Sequence, residues 1–452
     1  MSTPSPPTIK PLTILFAPLD TWGHINACHG LADLLRQRGH RPVFALDIGY
    51  QGKLAKYGYE EYILKRDVDQ QQDGRDFWAD FVTKYKDCYR LAPEAIMASS
   101  TVDGFTIMFE NYRQLDRQYR QCLDRVRPDL IVIDSYIGSP TLTNARVGAG
   151  DGCIIPWVWL CSAAPQSFLH SPKLPPAWSG LPLDSDQNKW LEFREKYNQV
   201  FSDLHHRISQ WFVESGARPL STNRSDINIL HPESPYLNIY TYPEELDYYQ
   251  ELKPLPGNWL RIDGSVRETG DTFEIPDQLL ARKTSDEKLV FFTIGSYGAS
   301  NIDLMKRITG ILGKSRHRFI VATGPLHRQY QLPANQWGRP FLPQTAVLPL
   351  VDLVIAHGGN NTVCETFYYG KPMLVMPMSS DQLDNAQRIH ELGLGLRLNP
   401  YHCTDGELLA AVDRLATDQG LAARMRMIGE TIRMNRQRNG QLAAELIENI
   451  CK

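Results

Sequence analysis

No stretch of the 452 residues runs through the ~18 consecutive apolar positions that a membrane-spanning helix requires. The opening MSTPSPPTIKPLTILFAPL lacks the positive start and long apolar centre of a secretory signal, because prolines and a lysine interrupt it before a run of only strand length. A cytoplasmic chain with no membrane span is therefore expected. Long runs of one charge sign are missing too, and the net charge is only -3, which argues against a nucleic-acid surface or a polybasic membrane anchor. The eight cysteines, Cys28, Cys88, Cys122, Cys153, Cys161, Cys364, Cys403 and Cys451, show no C-x-x-C spacing, so neither a disulfide framework nor a zinc site is expected. No G-x-G-x-x-G turn follows a strand where a dinucleotide-dependent dehydrogenase would carry one. Internal repeats and low-complexity tracts are likewise lacking.

What is present is an ordinary globular composition, 42% hydrophobic and 22% charged, on a chain too long for one core. Short β-branched runs alternate with amphipathic segments in two blocks. In the first, LTILFAP, RPVFALD and PDLIVID read as strands, with NACHGLADLLRQRGH and NYRQLDRQYRQCLDRV as helices. In the second, KLVFFTIG, RFIVATG, VDLVI and PMLVMPM read as strands, with NIDLMKRITGIL and DQLDNAQRIHEL as helices. Such alternation predicts an α/β fold of two Rossmann-like, doubly wound domains facing across a cleft at the carboxyl ends of their strands. The proline-rich, weakly periodic stretch 243–265 reads as the linker, which gives domains at 1–242 and 266–452, with the last helix packing back on the first domain. Residues 77–109 and 157–211 read as aromatic insertions over the first sheet.

The chemistry concentrates at strand ends. AHGGNNTVCE places a histidine, glycines and asparagines between a strand and a helix, where free backbone N–H groups and the helix dipole favour an anion. TIGSYG offers a second small-residue turn suited to phosphate. PFLPQTAVLP supplies an aromatic residue for stacking on a flat ring, and SSDQLDN gathers Asp381, Gln382 and Asn385 to read hydroxyls. A phosphate site, a stacking platform and hydroxyl readers in one crevice describe a nucleotide sugar.

The run FLPQTAVLPLVDLVIAHGGNNTVCETFYYGKPMLVMPMSSDQLDN resembles the donor-binding signature of the UDP-glycosyltransferase family, with GSYG and GHINACHGLADLLRQRGH as supporting matches. The resemblance implies the two-domain GT-B fold and transfer of a sugar from a UDP-sugar. It implies that Phe341 stacks on uracil, with the Leu342 backbone and the Gln344 side chain alongside. His357 and Ser296 would hold the diphosphate with Gly359, Asn361 and Thr362 at the helix start. Glu365 would take ribose hydroxyls, and Asp381 with Gln382 the transferred sugar. Many relatives have tryptophan where Phe341 stands, and Trp337 occurs four residues earlier, so both are stacking candidates.

In the first domain, DTWGHINACHG puts His24 on the turn after the first strand, and Asp134 ends PDLIVID. A hydroxyl attacking an anomeric carbon must lose its proton, which a neutral histidine can take near pH 7 while a carboxylate fixes its tautomer. The resemblance implies this pair, with inversion at the anomeric carbon. In the family it resembles, glutamine at the position of Gln382 accompanies glucose, so the resemblance implies glucose as the sugar, and aromatic residues Trp78, Phe109, Trp157, Trp159 and Phe168 are candidates for lining an apolar acceptor pocket. A flavonoid, phenol, macrolide or xenobiotic alcohol is the expected acceptor, and no cofactor or metal is expected. A sugar-nucleotide epimerase and a non-catalytic nucleotide-sugar-binding protein are the alternatives, and neither explains the His24 and Asp134 pair.

Overall fold

The computed structural model describes residues 10–65, 77–146, 153–169, 171–220, 233–252, 254–263, 265–281 and 284–452, with backbone alone for 77–79, 249–250 and 296–297. Seven strands form the first sheet: β1 (Thr13–Ala17), β2 (Arg41–Asp47), β3 (Glu60–Leu64), β4 (Leu130–Asp134), β5 (Trp157–Cys161), β6 (Leu237–Thr241) and β7 (Trp259–Ile262). They lie parallel in the order β3-β2-β1-β4-β5-β6-β7. The second sheet has β8 (Leu289–Thr293), β9 (Arg318–Ala322), β10 (Gln336–Arg339), β11 (Leu353–Ala356), β12 (Met373–Val375) and β13 (Gly395–Arg397), in the order β10-β9-β8-β11-β12-β13. The central strands are buried on both faces, which is why LIVID and LVIA are apolar throughout instead of alternating.

Strand order reverses between β1 and β4 in one sheet and between β8 and β11 in the other. At such a switch point the connections leave in opposite directions and open a crevice beyond the carboxyl ends. Register sets what meets there. Ala17 pairs with Ile133, so the loop after β1 lies beside Asp134, and Ala356 pairs with Thr293, so the turns after β8 and β11 touch.

Two expectations about the chain's organisation need correction. The stretch 243–265 is not all linker, because β7 lies within it and completes the first sheet. The stretch 157–211 is not all insertion either: WVWLC is β5, a central strand, and Gln187–Glu214 is one continuous helix. The last helix, Gln419–Ile450, begins on the second domain and ends on the first, where Ala443, Ala444 and Ile447 are buried with Ile14, Leu31 and Phe44. Among the described residues, no helix is long and apolar enough to cross a membrane.

Candidate active site

His24 lies in the first turn of the helix Trp22–Gln37. Its Nδ1 stands 2.9 and 3.0 Å from the two Asp134 oxygens. Asp134 is completely buried, and it also accepts from the Tyr136 backbone N–H at 2.9 Å and from the Ser162 hydroxyl at 3.3 Å. Burial opposes a charge on the His24 imidazole, but the Asp134 carboxylate outweighs it, helped by Asp381, and the pKa rises above 6.5. With Nδ1 committed to the carboxylate, Nε2 is the nitrogen left for a substrate proton. Ser162 Oγ, 2.9 Å from Nδ1, completes this cluster and was not singled out from the sequence. It follows β5, the strand read as insertion, so nothing placed it at a sheet edge.

Across the crevice, the turns after β8 and β11 hold His357 between two glycines. A β-carbon on Gly295 would stand 2.8 Å from His357 Nε2, and one on Gly359 only 2.5 Å. Gly295 also has a positive φ of 70°, so a side chain is refused there twice over. Burial lowers the His357 pKa to about 4. The imidazole is therefore neutral at physiological pH and offers a hydrogen bond, not a charge. Gly359 caps the helix Asn360–Tyr368 and carries no side chain to occupy its start; the Asn360 N–H meets Asp381, which leaves the neighbouring N–H groups of the first turn to face an anion. Ser296 lies in the short helix Gly295–Gly298, but its side chain is outside the described residues.

Gln344, Asn361, Thr362 and Glu365 form one network. Glu365 is 1% exposed; Oε2 accepts from Gln344 Nε2 at 2.6 Å, and Oε1 accepts from Asn361 Nδ2 at 3.0 Å and from Arg267. Gln344 also reaches Thr362 Oγ1 at 3.4 Å. Glu365 was expected to accept from ribose hydroxyls. The structure places its carboxylate behind Gln344, Asn361 and Arg267, as a buried charge must be paired. Arg267 carries no motif and escaped sequence reading.

Of the two stacking candidates, only Phe341 lines the cavity. It is 62% exposed on the lip, its ring 5.5 Å from that of Trp22 in the first domain. Trp337 packs on Phe273 at 5.8 Å with Arg339 over its face. Leu342 follows Phe341 and is buried.

Asp381 and Gln382 open the helix Asp381–Glu391 and face the cavity, whereas Asp384 and Asn385 do not. Burial raises the Asp381 pKa to about 6 despite the opposing influence of His24 and of backbone N–H groups from Ala164 and Asn360. Gln382 Oε1 accepts from the Met378 N–H at 3.0 Å. Asn385, expected among the hydroxyl readers, is fully buried and bonds the Gly358 carbonyl at 2.8 Å and the Tyr242 hydroxyl at 2.9 Å. Asn360 is also a domain tie, donating to the Thr241 carbonyl at 2.9 Å.

His24, Phe341, Gln344, His357, Gly359, Asn361, Thr362, Asp381 and Gln382 line one cavity of about 600 Å³, with Glu365 behind Gln344 and Asn361. Its wall in the first domain includes an apolar group, Leu19, Phe81, Val82, Phe105 and Met108, beside Tyr136, together with polar residues that include Thr21, Asn26, Ser100, Thr101 and Ser162. Of the expected acceptor aromatics, Phe109, Trp157, Trp159 and Phe168 are instead buried in the core, and the Trp78 side chain lies outside the described residues. Phe105 and Met108 lie on the helix Val102–Val126, whose face toward the cleft periodicity alone did not distinguish from its core face. Among the described residues, no group of three or more His, Cys, Asp or Glu could hold a metal ion.

The Glycosyltransferase family 28 C-terminal domain matches residues 289–438. An uncharacterized UDP-glucosyltransferase, YdhE, of Bacillus subtilis is 24% identical over 56% of this chain, an alignment that spans 59% of that protein's length. Human UDP-glucuronosyltransferase 1A7 is 23% identical over 90% of this chain and 76% of its own length. Among solved structures, the glycotransferase of kitacinnamycin superposes with a TM-score of 0.70 at 19% identity, covering 98% of this chain and 100% of that one. CalG4, the calicheamicin glycosyltransferase, gives 0.64 at 18% identity over 98% of both chains. The likeness to those structures shows a GT-B fold of two facing parallel sheets, and residues 289–438 are similar to the glycosyltransferase family 28 C-terminal domain.

Proposed function

We propose that the protein transfers glucose from UDP-glucose, with inversion, to a hydroxyl of a small lipophilic acceptor. The observation that carries this reading is that His24, already bonded to Asp134, shares one cavity with the helix start at Gly359 and with Asp381 and Gln382. An acceptor held against Phe105, Met108 and Tyr136 presents its hydroxyl to His24 Nε2. The imidazole removes the proton as oxygen attacks the anomeric carbon, and Asp134 stabilises the imidazolium that forms. The diphosphate leaves toward the N–H groups at Gly359 and Asn361 and a neutral His357, which stabilise the developing charge without a metal. Attack from the side opposite the leaving group inverts the centre.

Phe341 supports the uracil and Glu365 the ribose. Asp381 accepts from sugar hydroxyls, and Gln382, whose oxygen is held by Met378, donates through its amide nitrogen. Among the described residues lining the cavity, Arg267 is the one arginine or lysine. It stands at the Glu365 end, not beside Asp381, which favours glucose over glucuronate.

The test is a competition of UDP-glucose, UDP-galactose and UDP-glucuronate at equal concentration against a phenol panel, with and without EDTA. Products are read by mass spectrometry and anomeric configuration by NMR. A β-glucoside should dominate and persist in EDTA. Each buried polar group that an epimeric sugar leaves unpaired costs roughly 1–3 kcal/mol, so galactoside should form about one to two orders of magnitude more slowly. A dominant glucuronide, a retained α-linkage or an absolute requirement for added Mn²⁺ would each overturn its part of the proposal.

A further inference from the structure

Arg267 follows the last strand of the first sheet, and a bare helix face fixes where it goes. Gly30, on the helix Trp22–Gln37, faces Ser265 so closely that a β-carbon there would stand 2.1 Å from the Ser265 carbonyl oxygen. The connector therefore lies directly on that helix. Two bonds hold it on either side of Arg267: the Glu268 N–H donates to Asp33 Oδ2 at 2.9 Å, and Arg436 from the last helix donates to the Val266 carbonyl at 3.2 Å. From this fixed point the guanidinium crosses to the second domain and pairs with Glu365 Oε1, the two side chains 9% and 1% exposed. Burial lowers the Arg267 pKa to about 10, so the group stays charged at neutral pH.

The two oxygens of Glu365 are thus held unequally. Oε2 has one neutral partner, the Gln344 amide, which itself lines the cavity. Oε1 has a neutral partner, Asn361, and a cation. A nucleoside hydroxyl can replace an amide on a carboxylate at little cost, since one neutral donor is exchanged for another. Displacing the guanidinium would leave two buried charges unpaired, which no single hydroxyl compensates.

We infer that Arg267 is a specificity-determining residue: it keeps one oxygen of Glu365 from the donor, so that a single pentose hydroxyl, the 3′ one that both sugars carry, is read and 2′-deoxyribonucleotide donors are accepted alongside ribonucleotide ones. This rests on the proposed seat of the ribose at Glu365. The test compares dissociation constants of UDP and 2′-deoxy-UDP, which differ only in that hydroxyl, by titration calorimetry. In the unaltered protein the two should bind within about threefold of each other. Arg267→Met frees Oε1 for the second hydroxyl and should raise the preference for UDP to tenfold or more.

An unaltered protein that already favours UDP by more than tenfold overturns the inference without any variant, so a poorly folding Arg267→Met does not leave it open. Equal weakening of both nucleotides in Arg267→Met would also overturn it, assigning Arg267 to the phosphates. Glu365→Gln separates the two levels. If it leaves UDP affinity unchanged, the seat of the ribose is wrong and the inference falls with it; if it weakens UDP while the ratio stays flat in Arg267→Met, the inference alone is wrong.

Discussion

His24 must be neutral to take a proton, and its pKa is raised by Asp134, so the rate should fall as pH drops through a value above 6.5. Replacing Asp134 by Asn removes the raising influence while keeping a similar shape. The acid limb of kcat/KM against pH should then move to lower pH, and the plateau should fall because the imidazolium loses its partner. His24→Ala should lower turnover by about 10²–10⁴-fold with UDP affinity nearly unchanged by calorimetry. An acid limb that stays in place in Asp134→Asn would show that a different group titrates. At this scale residue type was readable, because few side chains suit proton abstraction or anion binding at a strand end. Partners were not: Ser162 is 138 positions from His24, and Arg267 is 98 from Glu365. No local pattern joins them.

The helix Asp381–Glu391 divides its labour by turn. Asp381 and Gln382 meet the cavity, whereas Asp384, Asn385 and Arg388, three or four residues on, share a face that grips the first domain. Asp384 accepts the backbone N–H groups of Trp178 and Gly180 at 2.7 and 3.0 Å, and Arg388 donates to the Leu246 and Asp247 carbonyls. Burial raises the Asp384 pKa to about 7, against 3.8 for an ordinary aspartate. Between those values the folded state binds more protons than the unfolded one, so this group's contribution to stability declines as pH rises from 4 to 7. Asp384→Asn cannot titrate. The melting temperature of the unaltered protein relative to Asp384→Asn should therefore decline between pH 5 and pH 8, measured by calorimetry in matched buffers. Parallel profiles would remove Asp384 from the account. SSDQLDN was read as a single cluster of hydroxyl readers; which of its side chains face the cavity depends on where the other domain lies.

Over the whole molecule, the last helix ties the two domains through its far end. Glu448 accepts from Arg38 at 2.8 and 2.9 Å and bonds His40 Nε2 at 3.0 Å, and His40 is buried. Glu448→Ala removes these partners and should cost about 1–3 kcal/mol in urea unfolding, more than the exposed Gln441→Ala on the same helix. The Arg38 bond, with His40 adding to it, holds the Glu448 pKa below 4.5. The stability it brings is present above pH 4.5 and lost as pH falls through the lowered value, so the gap between variant and unaltered protein should close in acid. A gap that persists at pH 3 would mean that packing, not the ion pair, makes the difference.

The sequence by itself determined the alternation of strands and helices, the two doubly wound halves, the small-residue turns at the strand ends, and the His24 and Asp134 pair. Each of these is written in local period or in residue types confined to a few positions. Tertiary structure decided that WVWLC is a central strand, because its tryptophans and single β-branched residue lack the β-branched run that marked the equally buried LIVID. It decided that Phe341 and not Trp337 meets the cavity, and that Phe105 and Met108, not Trp159 and Phe168, line the wall toward the cleft. Those choices turn on which face of an element looks into the gap between domains, a relation between residues hundreds of positions apart that no window of sequence contains.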